Sequence, residues 1–144
     1  MTVWIFDFAS PSDGIKITSE VALLRRLETV REGMFGNFIL ATSRDRAVSR
    51  ELCIQINGQY AYVHFFDDLS GANPSYQAFE MLVADCPDEV RFIQIGESEH
   101  STGNTMPKYT LCSVGDAYQA ALEFFEHPES MPRNINWNPL WIEK

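Results

Sequence analysis

The sequence predicts an α+β domain: a mainly antiparallel sheet of five to seven strands, with two main helices packed on one of its faces. Three observations predict it. Short β-prone runs recur along the chain with turn formers between them. Two stretches carry apolar residues at helical spacing, each behind a capping residue. Neighbouring strands are joined by hairpins and loops, not by the regular strand–helix–strand alternation that a parallel sheet needs.

The chain is organised around residues 52–66, LCIQINGQYAYVHFF, two alternating runs joined by Asn57-Gly58. Asn-Gly supplies the positive-φ residues of a type I′ turn, whose twist matches that of the flanking strands. With those two residues as the turn, Ile56 pairs with Gln59, Ile54 with Ala61 and Leu52 with Val63 on a core face. On the other face Gln55 pairs with Tyr60, Cys53 with Tyr62 and Glu51 with His64. Tyrosine has an apolar body and a polar tip, so Tyr60 and Tyr62 suit a surface that meets a partner. Packing beneath a loop accounts for the same two residues.

Before the hairpin, residues 3–8 alternate Trp4, Phe6 and Phe8 with Val3, Ile5 and Asp7, then run into Ser10-Pro11-Ser12-Asp13-Gly14, a strand ending in a loop. A helix is predicted over 19–32. Ser19 or Thr18 caps it, Glu20 lies in its first turn, and Val21, Leu23, Leu24, Leu27 and Val30 form its apolar stripe. Gly33 closes it as a left-handed cap. Arg25, Arg26 and Arg31 fall in its second half, a solvated face or a complement to the dipole. Residues 37–42 form a short strand.

After the hairpin, residues 67–76 read as a long exposed loop carrying the adjacent acids Asp67 and Asp68, and Tyr76. Residues 79–84 read as extended or irregular. Residues 90–95 are expected to join the same sheet, and residues 97–104, with Glu97 and Glu99, to form a second polar loop. A short apolar approach at 109–112 leads to the second helix. Ser113 caps it with Asp116 three residues on, Val114, Ala117, Tyr118, Ala121, Phe124 and Phe125 follow helical spacing, and Pro128 stops it. Residues 135–141 form a last short strand anchored by tryptophan. The helices should cover Leu52, Ile54, Ile56, Val63, Ile93 and Ile95.

With 144 residues, 45% of them hydrophobic, the chain suits a single domain over 1–144. No apolar run approaches the roughly 20 residues of a membrane span. The first residues carry no basic leader and include Asp7, so the expected location is cytoplasmic. Eleven basic residues against twenty acidic ones leave a formal charge of −9. That charge repels a phosphate backbone and excludes direct nucleic-acid binding as the expectation. It would accelerate encounter with a basic protein, and it also serves plain solubility.

Cys53, Cys86 and Cys112 are odd in number and widely spaced, which argues against a disulfide framework and against a thiolate metal site. His64, His100 and His127 lack the short spacing of zinc ligands. Cys53 and His64 share a sheet face but are not opposite in the expected register, so a Cys–His nucleophile lacks its geometry. Asp67 with Asp68 and Glu97 with Glu99 are formal carboxylate pairs without a frame. No phosphate loop, dinucleotide fingerprint, nucleophile elbow or HExxH is present. The expectation is a protein without enzymatic activity or cofactor.

The run VGDAYQAALEFFEHPESMPRNINW, a capped helix ending in Phe124 and Phe125, then Pro132 and Trp137, resembles the end of a family of bacterial immunity proteins from polymorphic toxin systems. The aromatic hairpin and the early NFIL strand are similar in order, so the resemblance covers 37–137. Residues 126–131 form a longer insert than the family pattern, and 138–144 extend past it. The resemblance implies an α+β protein that binds and blocks a cognate toxin, commonly a zinc-dependent nucleic-acid deaminase, without doing chemistry itself. Phe124, Phe125, Pro132 and Trp137 would then build core. The expected toxin contacts are Tyr60, Tyr62, Asp67, Asp68, Tyr76, Glu97 and Glu99. Two other classes stay open: an acidic regulator that mimics nucleic acid, and a small hydrolase or transferase using Cys53 or His64.

Overall fold

The computed structural model describes residues 2–7, 14–44, 49–66, 75–78, 86–93 and 104–140. Their architecture is α+β, and every strand pairing is antiparallel. The strands are β1 (Val3–Asp7), β2 (Ile15–Ile17), β3 (Arg31–Glu32), β4 (Phe35–Ala41), β5 (Glu51–Asn57), β6 (Tyr60–Phe66), β7 (Ser75–Ala78), β8 (Glu89–Phe92), β9 (Asn104–Pro107), β10 (Leu111–Ser113) and β11 (Trp137–Leu140). The helices are α1 (Glu20–Leu27) and α2 (Val114–Glu126), with a single 3-10 turn at Lys108–Thr110. Seven strands follow the order β11-β7-β6-β5-β4-β1-β2, β3 adds to β4 and β10 to β6, and β8 with β9 forms a separate two-stranded sheet.

The β5–β6 hairpin lies at the centre of this sheet, but its turn is Gly58-Gln59, one residue later than the sequence suggests. The observed pairs are Asn57 with Tyr60, Gln55 with Tyr62, Cys53 with His64 and Glu51 with Phe66 on one face, and Ile56 with Ala61, Ile54 with Val63 and Leu52 with Phe65 on the other. Asn57 stays in the strand because it is held on both sides. Its backbone pairs with Phe35 of β4, and its side-chain Nδ2 donates to the Arg91 carbonyl at 2.7 Å. Gly58, at φ 62°, takes the positive-φ first position that a primed turn requires. Each partner thus moves by two residues, which changes every cross-strand pair and leaves every residue on its expected face.

The core lies between the sheet and the helices. Leu52, Ile54, Ile56, Val63, Phe65, Phe38 and Leu40 are at most 2% exposed beneath Leu23 and Leu27 of α1 and Ala117, Ala121 and Phe124 of α2. Phe65 and Phe124 meet edge to face, with ring centroids 6.2 Å apart, a geometry that the aromatic quadrupole favours. Burying each such side chain contributes about 2–3 kcal/mol. The Tyr118 hydroxyl of α2 donates to the Leu27 carbonyl at 3.1 Å and joins the two helices.

Both helices start where their caps predict: Ser19 Oγ accepts from Ala22 N, and Ser113 Oγ from Asp116 N, each at 3.1 Å. The first ends at Leu27, well short of the predicted Glu32. Thr29 Oγ1 donates to the Arg26 carbonyl, a local bond that competes with helix propagation, and Arg31–Glu32 turns back along β4 as β3. Val30 is still fully buried, so the apolar stripe continues past the end of the helix. Gly33, at φ 63°, follows β3 in the turn toward β4 and does not cap the helix.

Three further corrections concern the second half. Residues 75 and 76, read as the end of a loop, belong with 77 and 78 to β7, between β6 and β11. Residues 89–92 do not join the main sheet; they pair with β9 and lie against its other face. Val90 and Phe92 are therefore the buried pair, while Ile93 lies half-buried beyond the strand end and Ile95 is outside the described residues, as is 79–84. Both phases of that run are apolar, so alternation alone could not choose between them. The last strand is β11, at the edge of the sheet, where Pro139 costs no central ladder bond. Trp137 Nε1 donates to the Pro132 carbonyl at 2.7 Å.

Candidate binding surface

The face of β4, β5 and β6 away from the helices carries the polar and aromatic side chains. Alternation along β5 and β6 places Cys53, Gln55 and Asn57 there beside His64, Tyr62 and Tyr60. The shifted register overturns one exclusion made from the sequence, because Cys53 and His64 are directly opposite each other. The His64 ring stacks on Phe66 with centroids 4.1 Å apart and meets Tyr62 edge-on at 6.1 Å.

Burial decides the chemistry of this cluster. Desolvation pushes the His64 imidazole down to about 4, so the ring is neutral at pH 7. Its Nε2 and the Gln55 Oε1 have no hydrogen-bond partner among the described residues. Burial, and then the neighbouring Cys53 thiol, raise Tyr62 to about 12. A neutral ring stacked on phenylalanine packs well, but it disfavours the imidazolium that would stabilise a Cys53 thiolate. On the helix side, Cys112 is pushed up to about 12 by burial first and by Asp116 second, which makes it a small apolar filler.

Of the seven expected contact residues, the structure describes the side chains of two. Tyr62 is 8% exposed and joins Cys86, Val90, Phe92 and Leu111 in a second apolar cluster, so it is no surface anchor. The β8–β9 sheet covers it, a layer that its sequence did not announce. Tyr60 is half-buried at the rim of that cluster, and Gln59 Nε2 donates to its hydroxyl at 3.1 Å. Asp67, Asp68, Glu97 and Glu99 lie outside the described residues. Tyr76 stands opposite Phe65 in β7, with its side chain outside the description.

Reasoning from the sequence missed the exposed charges of the β8 segment: Asp88 just before the strand, and Glu89 and Arg91 within it. A signal for them was present. Eight of the twenty acidic residues, but one of the eleven basic ones, fall between residues 67 and 99. Among the described residues no three histidine, cysteine, aspartate or glutamate side chains are grouped to hold a metal ion. Among the same residues no helix is long and apolar enough to cross a membrane. Compared with models of known protein families and with curated proteins, the chain matches none.

Proposed function

We propose that this chain is an immunity protein, which binds a cognate interbacterial toxin, a basic zinc-dependent deaminase of nucleic acid, and neutralises it by occluding the active site. The observation that carries this is the uneven distribution of charge. A net excess of acid falls on residues 67–99, the stretch that supplies β7 and β8, and the rest of the chain is close to balanced. A net negative charge steers a partner of opposite charge. A groove that binds nucleic acid is such a partner, being lined with cations.

The residues that carry the family resemblance support a division of labour. Phe124, Phe125 and Pro132 are buried and Trp137 is half-buried against Phe65, so the shared motif holds the fold while other residues select the toxin. In this role the protein works in the cytoplasm, where a nucleic-acid deaminase meets its substrate. A hydrolase or transferase using Cys53 draws on one observation, the direct opposition of Cys53 and His64. The neutral, stacked imidazole weighs against it.

The test is capture from the native bacterium at moderate salt, followed by a deaminase assay of the captured protein. One basic, zinc-binding partner at unit stoichiometry, inhibited in proportion to added chain, supports immunity. No partner, or a crowd of unrelated ones, overturns it. Reversing Asp67, Asp68, Glu97 and Glu99 together should slow association and flatten its salt dependence; an unchanged rate would remove those four acids from the interface.

A further inference from the structure

We infer that the exposed face of β8 is a contact between two copies of this chain related by a twofold axis, with Tyr109 of each copy seated in a groove of the other. The groove lies beside the β5–β6 turn, has a volume of about 480 Å³ and is open to solvent. Its floor is the Gly58-Gln59 turn. Met34, Tyr60, Pro87 and Val90 give it largely apolar walls.

Tyr109 is the most exposed large hydrophobic side chain among the described residues, at 60%, and Met34 on the groove wall is 55% exposed. Both are tied to the β8 segment. Lys108 N donates to the Asp88 carbonyl at 2.7 Å, which holds Tyr109 near the start of the strand. Asn57 Nδ2 donates to the Arg91 carbonyl at 2.7 Å, and Gly58 N to the Met34 carbonyl at 2.7 Å, which holds the floor of the groove near the other end. A twofold axis crossing the middle of β8 exchanges those ends, so it carries each tyrosine toward the groove of the other copy. Both elements are fixed before a partner arrives, which reduces the ordering cost of binding.

The charges on this face select a second copy as the occupant. Glu89 and Arg91 are exposed on one side of β8, with buried Val90 between them on the other. When the axis passes at Val90, across the strand, the two β8 strands face each other antiparallel, and Glu89 of each copy meets Arg91 of the other. The pair is formed twice by symmetry. A guanidinium carries five donors, so Arg91 takes this carboxylate in addition to any bond within its own chain. Asp88 and Glu89 are balanced by Arg91 and Lys108, so the face that meets its own copy carries no net charge, although the whole chain has −9. The paired charges fix the register of the contact, and the desolvated tyrosine supplies most of its affinity. Methionine on the wall adapts its shape to the ring that it meets.

This contact is independent of the immunity role and stands or falls without it. Sedimentation equilibrium of the full chain at about 0.15 M salt measures it, from micromolar to millimolar concentration. The proteins compared are the wild type, Tyr109→Ser, Glu89→Arg, Arg91→Glu, and a chain with both charge changes, all at exposed positions. The wild type should reach the mass of two chains. Tyr109→Ser should weaken the dimer about tenfold or more. Each single charge change should weaken it as well, although the two move the net charge in opposite directions, and the chain with both should recover the wild-type affinity because the reciprocal pairs are restored with the charges exchanged. A wild type that stays monomeric throughout overturns the inference. So does a dimer that Tyr109→Ser leaves undiminished, or one in which the double change is as weak as the single changes.

Discussion

Cys53 and His64 face each other across β5 and β6 on the side of the sheet away from the helices, with the imidazole stacked on Phe66. With Gly58-Gln59 as the turn and Asn57 held in the strand, the register makes thiol and imidazole partners. Their surroundings then determine what the pair does. Glu51, 1% exposed, is two residues before Cys53, Gln55 and Tyr62 are the next pair along, and the ring itself is mostly desolvated. His64, stacked on Phe66, is packed there as a neutral ring.

A pH dependence follows. The His64 value is depressed in the folded state, to about 4 against 6.5 for the free side chain, so the unfolded chain binds a proton over a range where the native one does not. The stability from the neutral ring is fully present above pH 6.5 and is lost as pH falls toward 4. It amounts to roughly 2 kcal/mol once partial exposure is allowed for. His64→Phe should keep the stacking, remove the unpartnered Nε2 and be as stable as the wild type or more so at pH 7. Urea unfolding between pH 7 and 4 measures it: the difference between the two proteins should widen by that amount in favour of the variant. Parallel curves would mean that His64 binds its proton equally in the folded and the unfolded chain.

Phe124→Ala tests whether α2 holds the core. Phe124 is 0% exposed and meets Phe65 edge to face in the middle of the helix–sheet layer. Its removal should cost about 3–5 kcal/mol, a large share of the 5–15 kcal/mol typical of a domain. The urea midpoint should fall steeply with little change in slope. A loss under about 1 kcal/mol would mean that the cavity collapses without penalty.

What the sequence disclosed and what it hid divide along physical lines. The faces of β5 and β6 were legible because period two fixes a face whatever the register. The register was not, because Asn57-Gly58 and Gly58-Gln59 are both workable turns and the choice rests on bonds from Asn57 to β4 and β8, remote in sequence. The start of α1 was legible in Ser19; its end was not, because pairing of Arg31 with Gly36 overrode an apolar period that ran on through Val30. Tyr62 looked like a surface residue because nothing local to β6 announces the β8–β9 layer that covers it. The uneven acid distribution, by contrast, needed only counting along the chain.

Ser113→Ala isolates a feature that was readable locally. Ser113 Oγ accepts from Asp116 N at 3.1 Å, and Asp116 lies in the first turn, where a carboxylate complements the helix dipole. Loss of the hydroxyl should destabilise the protein by about 1 kcal/mol. Ser113→Asp should restore most of that, since aspartate caps as well as serine. Thermal unfolding of the three proteins checks the order, and an aspartate variant no better than alanine would assign the effect to β10, which Ser113 also ends.

The last prediction concerns the turn itself. A Cβ added at Gly58 meets nothing within 4 Å, so the space around it does not forbid a side chain. Its φ of 62° does: an L residue there pays the left-handed penalty of roughly 1–2 kcal/mol. Gly58→Ala should be destabilised by about that amount, and Gly58→Asn by clearly less, because asparagine tolerates the region. A turn at Asn57-Gly58 would place the same residue at positive φ, so a register shift brings no relief, and the Ile54–Val63 cross-strand amide contacts should persist in the NMR spectrum of Gly58→Ala alongside the reduced stability. Their replacement by Ile54–Ala61 contacts would mean that the packing of Leu52, Ile54 and Phe65 does not hold the register.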